Sequence, residues 1–333
     1  MNDRRRYALV IAALAVLAGG GFVLSILVAG SGSGAFGLPA TAGHRDTEVI
    51  ALILREIRLP RAVLGLTIGA TLGLAGAALQ GYLRNPLAEP GVIGVSTAAA
   101  LGAVIAIYTG LSLAAPVALP LMAIGGSLLA VLALQALAGT GSVLTLILAG
   151  VAISSLCGAL ASLALNLSEN PFASLEIVFW LLGSITDRSM THVWLAVPFI
   201  VTGWLLLLGS ARALDVLSLG EETASSLGVD LKRTRLLVVT GTAIGVGACT
   251  AVSGVIGFVG LVVPHVLRPL VGHLPSRLLP ASALGGAILL LAADVLVRVI
   301  DTGTELKLGV VTALVGGPFF LSLILRLKVS YGV

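Results

Sequence analysis

Between Arg61 and Arg84 the chain runs 22 residues without a charged side chain, and similar apolar runs recur along its 333 residues. A segment in hydrocarbon must satisfy every backbone N–H and C=O within itself or a closed neighbour set, which leaves helices and barrels. Runs of about 20 residues fit helices crossing a core of about 30 Å; barrel strands need only about 10. Hydrophobic residues make up 58% of the chain and charged residues 10%, where soluble domains carry roughly 25% charged. No soluble core buries that much apolar surface. The expected fold is an all-α, polytopic membrane protein.

Ten spans are expected, at residues 7–29, 58–82, 91–109, 114–138, 143–166, 191–209, 233–253, 256–271, 278–298 and 305–327, forming one transmembrane domain over 1–333. The first apolar stretch is longer than the roughly 7–15 residues of a signal-peptide core, so it reads as a span. With Arg4, Arg5 and Arg6 inside, most of the 19 Lys and Arg fall on the cytoplasmic side, and an even span count puts both termini there. The net charge of +4 is modest and points to no nucleic-acid partner. Residues 174–183 are too short to span and rich in aromatics, which suits a helix at the interface. At an offset of 178, Gly69, Gly76 and Pro86 match Gly247, Gly254 and Pro264. That is a faint repeat, and a five-span spacing would invert one copy relative to the other.

Gly65, Gly69, Gly73, Ala77 and Gly81 recur every fourth residue, a small-residue ridge along one face of the second span. The span begins with Arg58 and Arg61, one helical turn apart. It ends in a polar, twice-proline turn, Arg84 to Gly91. Arg298 lies one turn after Asp294. Snorkelling and neutralisation are the common fate of such arginines; a cationic surface for external carboxylates is the functional alternative. Asp294, the one acid well inside a span, is a candidate proton site, with a structural pair to Arg298 the simpler reading. Leu214 to Arg235 contains a short amphipathic helix between Gly220 and Gly228 that starts with Glu221 and Glu222. It is either a solvated connector or a helix that docks in a groove of a cytoplasmic partner. His44, His192, His265 and His273 are scattered, and Cys157 and Cys249 sit in apolar runs, so no metal-ligand set emerges. No phosphate loop of the G-x-x-x-x-G-K-[ST] type occurs, so this chain is not itself an ATPase.

RLPR at 58–61, RNPLAEPGVIGVS at 84–96, SLGEETASSLGVD at 218–230, GFVGLVVPHVLRPLVG at 257–272, LLPASALGGAILLLAADVLVR at 278–298 and ELKLGVVTALVGGPFF at 305–320 resemble, in order, the FecCD-type permeases. These are membrane subunits of bacterial ABC importers for ferric siderophores, haem and vitamin B12. The resemblance implies an inner-membrane dimer of two copies, of inverted-repeat type II importer architecture. It implies two cytoplasmic ATP-binding subunits, which hold ATP and Mg²⁺, and a periplasmic substrate-binding protein; this chain binds no cofactor. Arg58, Arg61 and Arg298 map onto the arginines that receive acidic residues of the binding protein. Residues 216–229, with Leu219, Gly220, Glu221, Glu222, Ala224, Leu227 and Gly228, map onto the ATPase-coupling segment. Asn85 and Leu87 map onto a cytoplasmic gate, and Ser142, Val143 and Leu144 loosely onto a second. The glycine ridge would let spans rock past one another. A likeness around WLLGSITDRSM (180–190) favours haem over a siderophore or cobalamin; the rival of another class is a proton-driven carrier working through Asp294.

Overall fold

The computed structural model describes residues 3–28, 44–115, 117–138, 143–300 and 306–331. They are almost wholly helical, with no strand among them. Helix α1 (Asp3–Leu27) is followed by α2 (His44–Ile53), a π-helical turn at Leu54–Arg58, and α3 (Leu59–Leu83). Pro60 accounts for the wide turn: it has no N–H to give and its ring crowds the carbonyl a turn earlier, so the chain shifts register, and the Leu59 N–H bonds to the Leu54 carbonyl instead. Next come α4 (Val95–Tyr108), α5 (Leu111–Ala114), α6 (Ala118–Ala138), α7 (Val143–Asn166), α8 (Pro171–Leu181) and α9 (Met190–Gly209). Then come α10 (Ala211–Leu217), α11 (Glu221–Ser226), α12 (Leu231–Ser253), α13 (Val259–Val271), α14 (Pro275–Val299) and α15 (Leu308–Tyr331).

Among the described residues 7 helices are long and apolar enough to cross a membrane: α1, α2 continuing into α3, α6, α7, α9, α12 and α14. The remaining expected spans are the shorter apolar helices α4 and α13, together with α15. Several boundaries differ from expectation by three or four residues, among them the starts of α1 at Asp3, α14 at Pro275 and α15 at Leu308. The third span starts at Val95, because Pro90–Ile93 make a 3₁₀ turn closed by Gly94 at φ 79°. The fourth starts at Ala118, with α5 a separate turn before it, and the eighth starts at Val259. Helix α8 covers the expected interfacial segment, with Ile177 and Trp180 buried and Phe172, Leu175 and Phe179 exposed.

The bundle is organised on an antiparallel seam between α3 and α14. A β-carbon at Gly65 would lie 3.1 Å from Leu291, one at Gly69 would strike the Gly286 carbonyl, one at Gly73 the Ser282 carbonyl, and one at Gly81 would lie 3.4 Å from Pro275. As one partner's number rises the other's falls, so the whole ridge lies against one helix. Small residues let two backbones reach van der Waals contact, the main source of attraction where lipid removes the hydrophobic drive. Helix α9 joins through Gly203 against Gly245 of α12, and through a hydrogen bond from Trp204 Nε1 to Thr71 Oγ1 of 2.8 Å.

A second short-long pairing echoes the expected repeat. Helix α3, an irregular turn and the short α4 correspond to α12, an extended run at 254–258 and the short α13. Gly254 (φ 69°) and Phe258 (φ 66°) bracket that run. It delivers the start of α13 to a point well inside the bundle, where Gly260 packs on Gly76. There the Gln80 amide donates to the Gly260 and Leu261 carbonyls at 3.5 and 3.4 Å, and Arg268 donates to Gln80 Oε1 at 2.8 Å. Such irregular backbone is tolerated at depth only because protein groups cover it.

Candidate functional site

The α3–α14 pairing brings all three expected docking arginines to one end of the bundle. Arg61 Nε lies 2.8 Å from Asp294 Oδ1, and Arg298 Nη2 lies 2.7 Å from Asp294 Oδ2. Asp294 is 1% exposed and the Arg298 side chain 8%. Every N–H of Arg298 has an acceptor. Nε donates to the Asp294 carbonyl (3.3 Å), Nη1 to the Ser25 and Val28 carbonyls (2.7 and 2.9 Å), and Nη2 to Ser25 Oγ (2.8 Å) as well as to the Asp294 carboxylate. Arg58 Nη1 donates to the Ile26 and Leu27 carbonyls at 3.1 and 3.2 Å. Two arginines therefore cap the last turn of α1, whose final carbonyls have no helical partners of their own. Asp294 is a shared counter-ion of two arginines.

The opposite end gathers the expected gate and coupling residues. Arg84 ends α3 in the left-handed region (φ 48°, ψ 34°). Behind it, Asn85 Oδ1 accepts the Leu87 N–H at 2.9 Å and the Asn85 carbonyl accepts the Ala88 N–H at 3.1 Å, a closed Asx turn stiffened by Pro86. Burial holds the Glu89 carboxyl above the ordinary range, and the nearby Phe258 backbone opposes the shift. Ser142 lies outside the described residues. Val143 opens α7, and Leu144 after it is 64% exposed.

The expected coupling segment, 216–229, takes in the end of α10 and the short helix α11, which lies between Gly220 and Gly228 as expected. Leu214 and Leu217 bury α10, and Asp215 Oδ1 accepts the Ser276 N–H at 2.8 Å, capping α14. Gly220 (φ 110°) and Gly228 (φ 85°) bracket α11, where a side chain would strain the backbone. Ala224 is fully buried and pins α11 to the bundle, while Leu219 and Leu227 stand 65% and 63% exposed, and Glu222 is exposed too. Glu221 points the other way: its Oε1 lies 3.1 Å from Arg84 Nη2. This contact joins α11 to the start of the Asn85–Leu87 turn, and nothing in the sequence signals it, because the two residues are 137 positions apart.

Among the described residues no three of His, Cys, Asp and Glu lie close enough to share a metal ion. His265 stacks edge-on against Phe319, and His192 bonds Ser189 within its own helix cap. In the WLLGSITDRSM segment the Arg188 guanidinium lies 4.9 Å over the Trp180 ring. Burial lowers its pKa from the usual arginine value, against the pull of Asp187 and Glu176. Neither Arg188 Nε nor Trp180 Nε1 has a hydrogen-bond partner among the described residues.

Residues 11–326 match the FecCD transport family. The Fe(3+) dicitrate transport system permease protein FecD of Escherichia coli is 43% identical over 86% of this chain and 88% of its own. The cobalamin import system permease protein BtuC of Halobacterium salinarum is 41% identical over 87% of this chain and 75% of its own. The hemin transport system permease protein HmuU of Yersinia pestis is 40% identical over 81% of this chain and 82% of its own. A solved structure described as an inward-facing conformation of a metal-chelate type ABC transporter superposes with a TM-score of 0.83 at 32% identity, covering 96% of this chain and 99% of that one. The chain belongs to the FecCD transport family, as a multi-pass permease subunit of an ABC transporter and not as an enzyme.

Proposed function

We propose that this permease imports an iron chelate, haem in first place, across a bacterial inner membrane with both termini in the cytoplasm. Two copies form the path through one transmembrane domain each. Two ATP-binding subunits, carrying ATP and Mg²⁺, dock on α11, and a periplasmic binding protein docks at the Arg58–Arg61–Arg298 end. The observation that carries the reading is polarity along the bundle: a pinned helix with two bare leucines and a stiff proline turn share one end, and a cluster with more arginine than carboxylate occupies the other.

Each part has a physical job. Leu219 and Leu227 offer the apolar anchors that a groove on an ATPase subunit buries. ATP-driven approach of those subunits moves α11, and the turn at Asn85–Leu87, with the start of α7 at Ser142–Leu144 as a second element, closes the path below the substrate. At the other end Arg58 is the arginine with donors to spare, while a carboxylate reaching Arg298 must first displace carbonyls of α1. The family relatives carry ferric dicitrate, cobalamin or hemin, and the stacked Arg188–Trp180 pair, with two buried N–H groups unmet, fits an anionic chelate better than cobalamin.

The test is reconstitution with the ATPase subunits and binding protein in vesicles lacking a proton gradient. ATP-dependent uptake of haemin, above that of ferric dicitrate and cyanocobalamin, is expected; uptake driven by a pH gradient without ATP would sink the reading in favour of a secondary carrier. Arg58→Glu is expected to weaken binding-protein affinity, more at low salt than at high salt, since screening shortens to about 3 Å at 1 M. Unchanged affinity would leave Arg58 as a cap of α1 alone.

A further inference from the structure

We infer that Arg84 is the positioning residue that transmits movement of α11 to the gate turn, through its ion pair with Glu221. The inference rests on the reading of α11 as the ATPase-docking helix and of Asn85–Leu87 as a gate.

The backbone supplies the first argument. Arg84 sits in the left-handed region at the end of α3, with its N–H on the Gln80 carbonyl. Glycine is the usual residue there, because a β-carbon makes that conformation costly. An arginine in a glycine's place needs a use for its side chain, and its guanidinium reaches Glu221 Oε1 at 3.1 Å. The second argument is rigidity on both sides of the contact. Asn85–Ala88 is closed by two hydrogen bonds and by Pro86, so a displacement of Arg84 carries Asn85 and Leu87 with it. Glu221 opens α11, whose Ala224 is fully buried while Leu219 and Leu227 face outward, so a partner that grips the leucines turns α11 about Ala224 and swings Glu221. The turn is thus stiff in itself and linked to α11 through Arg84.

The pair is also weak. Both side chains are nearly half exposed, and such pairs are weak. A weak pair is a poor staple for the fold, but it can form and break within one transport cycle. Its loss is expected to change the balance between gate states about two- to fivefold, not abolish folding.

The experiment uses the complete transporter, permease dimer with ATPase subunits and binding protein, in inverted vesicles. Leu87→Cys is placed in a background with Cys157 and Cys249 replaced by serine, and its labelling by an impermeant maleimide is timed without nucleotide and with ATP and vanadate. The nucleotide-dependent change in labelling rate is expected to shrink two- to fivefold in Arg84→Glu and in Glu221→Arg, and to return in the double charge swap. Arg84→Gly is expected to keep or raise the melting temperature, since glycine fits the left-handed position, while still losing the nucleotide response. A purely structural arginine would not separate those two readouts. No rescue in the swap, or a full response in Arg84→Gly, overturns the link. If Glu221→Arg alone also detaches the ATPase subunits while Arg84→Glu responds normally, the link fails and the docking role of α11 stands. If neither variant nor a charge at Leu219 disturbs assembly with the ATPase subunits, the docking reading itself has failed.

Discussion

Arg298 shows how much one side chain can organise. Its planar fork meets one carboxylate oxygen, one hydroxyl and three carbonyls, all in its own chain, and so ties α14 to the end of α1. Lysine cannot reproduce this, because it offers a point charge with no planar fork. Arg298→Lys is expected to leave carbonyls of α1 uncapped, read as faster hydrogen exchange over 25–28. Asp294→Asn is expected to cost more, about 3–5 kcal/mol, since it leaves Arg61 and Arg298 buried beside a neutral amide; thermal denaturation in detergent measures it. Their spacing in the sequence shows Asp294 and Arg298 as neighbours. That Arg61 joins them from a helix 233 positions away does not follow from spacing. The sequence leaves two uses open for these arginines, anchoring and docking. In the structure Arg298 ties α14 to α1, and Arg58 bonds α1 carbonyls through Nη1.

At the scale of elements, the glycine ridge of α3 is legible as a packing surface, but its partner and its stiffness are not. A smooth ridge suits sliding when seen alone. Against α14 it becomes a seam in which glycine backbones touch at Gly69–Gly286 and at Gly73–Ser282. Rocking is then expected to carry α3 and α14 as one body, with movement elsewhere. Gly73→Ala forces carbonyl and methyl into the same space and is expected to destabilise by the upper part of about 1–3 kcal/mol. Gly81→Ala places its methyl 3.4 Å from Pro275, an ordinary contact, and gains helix propensity of up to about 1 kcal/mol. Melting temperatures of the two variants are expected to move in opposite directions; equal losses would mean that the seam does not decide stability. The short eighth span is another case. Its shortness and Pro264 are visible in the sequence, but the extended run that starts α13 inside the bundle is seen only once Gln80 and Gly76 are in place beside it.

For the whole molecule, direction is the main property: bare leucines flanking a pinned helix at one end, arginines at the other. Replacing Leu219 and Leu227 together by aspartate is expected to weaken assembly with the ATPase subunits by about 2 kcal/mol or more, roughly 30-fold, because apolar anchors dominate such interfaces. The permease itself is expected to fold normally, as both leucines already face outward; co-purification checks the first point and circular dichroism the second. The sequence by itself determined that this is a polytopic helical membrane protein, and its family, because hydrocarbon imposes length and apolarity on every crossing segment separately. Those are local properties, countable along the chain. Only the tertiary structure decided that Asp294 is a counter-ion, that the glycine ridge is a fixed seam, and that Glu221 meets Arg84. In a bundle whose surface is apolar nearly all round, hydropathy does not say which face of a helix meets which neighbour. That choice is made by close packing and by a few polar contacts between residues far apart in sequence.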